Sequence, residues 1–146
     1  AAQNVNKYEY EKDSMNISNS FKRVVSLLVA SKVTKSFIAG KKPLTSSEIS
    51  LDLEIPIRVV RRVINELVEC KVFSEVTTEI YKERGYQPAR DVNSITVKDV
   101  IDALDERGVK DIKIKHSEEL KHIKGLIEKF DTQLSQSDDN LLVKDL

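Results

Sequence analysis

Hydrophobic residues recur at helical spacing along much of this 146-residue chain, and the polar residues between them mark helix ends. A first helix is predicted over about 20–39, because apolar residues recur every four positions and Gly40 and Pro43 follow them. Ser18 or Asn19 can cap this helix. Its predicted buried stripe comprises Phe21, Val25, Val29, Val33 and Phe37, with Val24 and Leu28 beside them.

The pattern over 43–104 is typical of a winged helix-turn-helix. Thr45 and Glu48 have the spacing of a capping box, which predicts a short helix over about 46–53. A second helix is predicted over 57–70, with Pro56 at a helix start, where proline is tolerated. The residues expected to be buried in these two helices are Ile49, Leu53, Val60, Val63, Ile64 and Leu67.

Two short strands are predicted next, and they would form the wing. Phe73 and Val76 suit the first strand, and its partner is expected within 81–88, with Gly85 near the bend. Thr96 then begins a helix over about 97–106. The apolar face of that helix consists of Val97, Val100, Ile101 and Leu104.

A last amphipathic helix is predicted over 118–134, capped by Ser117. Its apolar residues alternate spacings of three and four, as in a coiled coil, and they are Leu120, Ile123, Ile127, Phe130 and Leu134. This seam either packs back on the same chain or pairs with a second copy. The regular spacing favours self-association, and Gly125 favours outside support because glycine weakens a helix. We therefore expect a homodimer.

These elements predict a mainly α fold, a winged helix-turn-helix with a two-stranded β-wing and extra N- and C-terminal helices. The predicted organisation is a polar lead-in (1–16), the winged-helix domain (17–108), a linker with the C-terminal amphipathic helix (109–134) and a flexible tail (135–146).

The charge balance bears on the choice of partner. The chain has 24 Lys and Arg against 24 Asp and Glu, so it lacks the basic excess typical of a dedicated nucleic-acid binder. Cys70 is the only cysteine, which excludes an intrachain disulfide and a cysteine-ligated cluster within one chain. The most apolar run, 24–30, is far shorter than the roughly 20 residues that a membrane-spanning helix requires.

Nucleic-acid binding is nevertheless one interpretation of the polar residues at the recognition-helix position. Arginine can bind guanine edges or phosphates, and asparagine can pair with adenine. The candidate residues are Arg58, Arg61, Arg62 and Asn65 of the 57–70 helix, with Lys82 and Arg84 of the wing. The alternative is a solvated helix face whose arginines pair with Glu54, Glu66 or Glu69, and a wing that is an ordinary turn.

Catalytic machinery is not evident. His116 and His122 would point about 120° apart on one helix, which argues against a shared metal. Asp99, Asp102 and Glu106 share a helix face, which is more typical of solvated charge than of a divalent-ion site. Cys70 suits a small buried hydrophobe. We therefore predict no catalytic residue, no metal ligand and no cofactor.

Three blocks of sequence, 2–13, 42–70 and 85–104, resemble a family. The first is similar to the segment after the last transmembrane helix of YihY/BrkB-type membrane proteins, and the others to their cytosolic winged helix. The resemblance implies a non-catalytic interaction or regulatory domain on the cytoplasmic side of the inner membrane, attached to a transmembrane region. The family's historical label, ribonuclease BN, is not supported by a nuclease-like His/Asp cluster.

The alternative to that function is a DNA-binding winged-helix transcriptional regulator. The wing and the following helix are also similar to iron–sulfur-sensing winged-helix repressors. Those proteins place three cysteines between the helix after the wing and the dimerisation helix. Positions 91–116 of this chain contain none, which argues against cluster sensing but not against the shared fold.

Overall fold

The computed structural model describes residues 16–108 and 112–146, so nearly all of the predicted lead-in lies outside the described residues. The elements in chain order are α1 (Asn19–Ile38), β1 (Leu44–Thr45), α2 (Ser46–Leu53), α3 (Ile57–Glu69), β2 (Phe73–Thr77), β3 (Arg84–Pro88), α4 (Val97–Asp105), α5 (Glu118–Gln136) and a 3₁₀ helix (Val143–Asp145). The prediction of a mainly α winged helix is confirmed.

Local capping sets where the helices begin. The backbone N–H of Glu48 donates to Thr45 Oγ1 (3.2 Å), and the N–H of Thr45 donates to Glu48 Oε1 (3.2 Å). Thr96 and Asp99 form the same reciprocal capping box at the start of α4. Each box satisfies backbone donors that the first helical turn leaves unpaired. The predicted starts of α2 and α4 are therefore those of the structure.

The core lies between α1 and α3, with α2, α4 and the sheet around them. The predicted apolar face of α3 is fully buried, namely Val60, Val63, Ile64 and Leu67. The predicted stripe of α1 is partly wrong, because Phe21 and Phe37 are 52% and 45% exposed. The buried face of α1 instead combines Val25, Val29 and Val33 with small residues, Ser26, Ala30 and Thr34.

The sheet has three antiparallel strands in the order β1-β3-β2, so the predicted two-stranded wing gains β1. Gly85 was expected near the bend, but it lies inside the central strand, opposite both Thr45 and Val76. A Cβ atom at Gly85 would lie 2.7 Å from Pro43 Cβ. Glycine is therefore required by a close approach between β3 and the segment before β1.

The end of the chain packs on the domain, which differs from the flexible tail that its composition predicts. Val143 is 1% exposed, and its N–H donates to Ile95 O (2.9 Å). The N–H of Val97 donates to Leu141 O (2.9 Å), and Lys35 Nζ donates to Leu146 O. Burial of the Val143 side chain and these backbone bonds offset the entropy that ordering costs.

Candidate nucleic-acid interface

A groove of about 180 Å³ lies between the start of α2, the middle of α3 and the wing. Four of the six predicted nucleic-acid residues line it, namely Arg61, Asn65, Lys82 and Arg84. They come from separate stretches of the chain, and the fold brings the wing pair to the same groove as the α3 pair. The groove therefore combines two cationic side chains of the wing with an arginine and an amide of the helix.

The remaining two predicted residues lie on α3 beside the groove. Arg58 and Arg62 are exposed, but neither lines it. Arg62 Nε lies 3.9 Å from Glu66 Oε1, one helical turn further along α3. That contact is one of the ion pairs that the solvated-face interpretation predicts. The polar residues of α3 therefore fall into two groups: Arg61 and Asn65 line the groove, whereas Arg58 and Arg62 lie outside it.

The wing tip is a hydrogen-bonded turn. Thr78 Oγ1 donates to Glu83 O (2.9 Å) and accepts from the N–H of Ile80 (3.2 Å). The N–H of Glu83 donates to Ile80 O (3.2 Å). These bonds hold the backbone while Tyr81 remains 85% exposed, with Lys82 Nζ 5.4 Å from its ring centroid. The tip thus presents an aromatic ring and a cation to solvent.

The groove also contains five residues that were not predicted as nucleic-acid contacts, and Ser47 and Tyr86 are two of them. Ser47 lies in the first turn of α2, and its Oγ donates to Glu83 Oε1 of the wing at 3.1 Å. Tyr86 lines the floor of the groove, and its burial raises the pKa of the phenol. Ser47 and Glu83 are 36 positions apart, so no local spacing could have shown that they meet.

Glu66 anchors the opposite side of α3. It is only 6% exposed, and Arg107 Nη1 lies 2.8 Å from its Oε1, with Lys22 Nζ 3.3 Å from its Oε2. Arg107 Nη2 also donates to Glu69 Oε2 at 2.7 Å, which raises the pKa of the guanidinium. These ion pairs connect α3 to α1 and to the end of α4.

The residues weighed for metal or acid–base chemistry have structural contacts. Asp99 caps α4, Asp102 Oδ2 accepts from Lys98 Nζ (2.6 Å), and Cys70 Sγ donates to Ala103 O (2.9 Å). Burial raises the pKa of the Cys70 thiol. Within residues 16–108 and 112–146, no group of three or more His, Cys, Asp or Glu side chains could hold a metal ion.

The predicted self-association seam is exposed to solvent along α5. None of the residues of α5 is buried, and Leu120 is the only half-buried member of the seam. The other four members are about half exposed, namely Ile123, Ile127, Phe130 and Leu134. In the part of the chain that the structure describes, the seam is not covered by its own domain.

No family model and no curated protein matches the chain. Solved structures do match it. CymR of B. subtilis, the global cysteine regulator, is 18% identical, with 88% of this chain and 94% of that chain covered and a TM-score of 0.57. The fold is that of winged-helix regulators.

Two further structures support this assignment of the fold. T. potens IscR is 18% identical, with 90% and 86% coverage and a TM-score of 0.58. A putative transcriptional regulator from Listeria innocua is 18% identical, with 86% and 82% coverage and a TM-score of 0.58. The similarity thus extends over most of each chain.

The assignment to the YihY/BrkB membrane proteins is wrong. The matched structures include a global cysteine regulator and a putative transcriptional regulator, and nothing in them indicates a membrane-protein domain. No helix in the described ranges is long and apolar enough to cross a membrane. The main functional prediction, the membrane attachment and the ribonuclease label lose their basis with that resemblance.

Proposed function

We propose that the chain is a DNA-binding winged-helix transcriptional regulator of the Rrf2 type. The observation that carries the proposal is the groove in which Arg61 and Asn65 of α3 face Lys82 and Arg84 of the wing. A helix that presents arginine and asparagine can read base edges in the major groove, while wing cations bind the adjacent phosphates. The similarity to CymR and IscR supports this use of the fold.

The neutral net charge is compatible with this role. Phosphate binding requires a local excess of positive charge and not a basic chain. Three cationic side chains line the groove, Arg61, Lys82 and Arg84, against one carboxylate, Glu83. The groove therefore has a net positive charge although the whole chain has none.

We further propose that the protein acts as a homodimer that pairs through α5. Helices in proteins owe most of their stability to the packing of an amphipathic face, and none of the 19 residues of α5 is buried, so its apolar seam requires a partner surface. A second apolar row on α1, made by Phe21, Val24 and Leu28, is about half exposed. A second copy offers both surfaces, and a twofold dimer would present two copies of α3 to the two halves of a palindromic site.

DNA binding is tested by selecting duplexes from a random library, then measuring affinity by fluorescence anisotropy at several salt concentrations. Arg61→Ala or Asn65→Ala should weaken the selected site about 5- to 100-fold, because each removes a base contact. Lys82→Ala should weaken all sequences alike and lower the salt slope by about one. Lys129→Ala, an exposed lysine on α5 away from the groove, is the control. Absence of binding at low salt would refute the proposal.

Dimer formation is tested by sedimentation equilibrium over a range of protein concentrations. Ile127→Asp should give a monomer, because it places a charge in the seam. Thr132→Asp adds the same charge about 140° around the helix and should leave the dimer intact. A wild-type chain that remains monomeric at the highest concentration would contradict pairing through α5.

A further inference from the structure

We propose that Glu83 is a specificity-determining residue of the DNA interface, which accepts a hydrogen bond from the amino group of a cytosine and disfavours phosphate in the groove. The inference rests on the proposed function and extends it to the choice of sequence. A carboxylate repels the DNA backbone, so Glu83 contributes nothing to binding that depends on positive charge alone.

The position of Glu83 is fixed by the structure around it. Among the described residues that line the groove, it is the single carboxylate. Its backbone is held on both sides, since its N–H donates to Ile80 O (3.2 Å) and its carbonyl accepts from Thr78 Oγ1 (2.9 Å). The side chain is held by Ser47 Oγ, which donates to Oε1 at 3.1 Å. A half-buried carboxylate held at three points is preorganised for one orientation of its oxygens.

The chemistry of a fixed carboxylate selects its partner. An ionised carboxylate only accepts hydrogen bonds and has room for several, so the bond from Ser47 leaves capacity for another donor. In the major groove the cytosine N4 amino group is such a donor. Adenine N6 is a donor too, but it lies beside the N7 acceptor, which repels a carboxylate, and a phosphate offers no donor at all. If the protein binds DNA in a position where Glu83 faces a phosphate, the two negative charges repel each other and the carboxylate lacks a second hydrogen-bond donor.

This property would favour specific over non-specific binding. Non-specific complexes depend almost wholly on phosphate contacts, so a carboxylate among Arg61, Lys82 and Arg84 weakens them. A site with cytosine at the matching position gains a base contact that offsets the repulsion. Glu83 therefore raises the ratio between the two affinities and does not raise affinity in general.

The test compares Glu83→Gln, Glu83→Ala and wild type on a random-sequence duplex and on the duplex that wild type selects. Glu83→Gln should bind the random duplex about five-fold more tightly, because one unfavourable charge near phosphate is removed. Glu83→Ala, put through the same selection, should lose the cytosine preference at one position and keep the rest of the motif. Ser47→Ala removes the hydrogen bond that orients the Glu83 carboxylate, so it should weaken the cytosine preference less than Glu83→Ala does.

The matched control is Glu79→Gln. Glu79 is also on the wing, but its carboxylate is exposed, pairs with Lys42 Nζ at 3.3 Å and does not line the groove. It should change neither the random-duplex affinity nor the motif. The inference would be overturned, while DNA binding stands, if Glu83→Gln left the ratio of selected-duplex to random-duplex affinity unchanged. It would also be overturned if Glu83→Ala selected the same motif as wild type. Absence of any DNA binding by wild type would overturn both.

Discussion

Gly85 lies where the central strand β3 comes closest to the segment before β1. An alanine Cβ there would lie 2.7 Å from Pro43 Cβ, 3.0 Å from Thr78 Cγ2 and 3.1 Å from Pro43 O. The first distance must increase by about 0.7 Å to reach ordinary van der Waals contact. Pro43 cannot rotate away, because its ring fixes the backbone. Gly85→Ala must therefore move a strand.

The expected cost is that of overpacking a buried site, about 1 to 3 kcal/mol. For a chain of this size that corresponds to a decrease in Tm of about 4 to 12 °C. The displaced strand is β1, because the atom that the new Cβ meets most closely belongs to Pro43, which directly precedes β1. Thr45 also caps α2 at the edge of the groove, so DNA affinity should fall as well.

Urea unfolding followed by circular dichroism measures the loss of stability. Gly125→Ala is the matched control, because it is the same substitution in a helix with no atom within 4 Å of the new Cβ. It should not destabilise the protein and can stabilise it by up to about 1 kcal/mol. If Gly85→Ala costs less than about 0.5 kcal/mol, the close approach does not explain the glycine.

The ion pair of Glu66 and the single thiol give two further predictions. Arg107→Ala removes the partner that lies 2.8 Å from the buried carboxylate of Glu66, so it should lower the free energy of unfolding in urea by about 1 to 3 kcal/mol. Arg107→Lys should have a stability between those of wild type and Arg107→Ala. No loss in Arg107→Ala would mean that Lys22 alone satisfies Glu66. Because burial raises the pKa of Cys70 above its ordinary 9.0, the folded thiol should react with iodoacetamide at pH 8 more slowly than the urea-unfolded chain. The thiol's contribution to stability is complete below pH 9.0 and is lost as pH rises through the raised folded pKa, so Cys70→Ala should lose less stability than wild type between pH 8 and 10.5.

The resemblance to a membrane-protein family failed for a physical reason. Two of the three blocks that carried it, 42–70 and 85–104, contain capping boxes, a helix-turn-helix pattern and Gly85, which are features of this fold. Such features report the fold and not the protein to which the fold is attached. The DNA-binding alternative used polar residues of the same helix-turn-helix, and the solved structures share its fold.

The seam on α5 could be recognised from the sequence because its heptad spacing is local. Whether it would be covered by its own domain could not, since that depends on where the linker places the helix. The seam is exposed along Glu118–Gln136, which leaves pairing with a second copy as a prediction.

What the sequence by itself determined are features that residues a few positions apart create. Helix starts follow from side chains that cap the backbone three residues on, and the buried face of α3 follows from the 3.6-residue period. Tertiary structure decided the buried face of α1, the third strand, the packing of Val143 and the contact between Ser47 and Glu83. Each of these features depends on contacts between residues that are far apart in the sequence. The local spacing of apolar and polar residues does not show which of them meet.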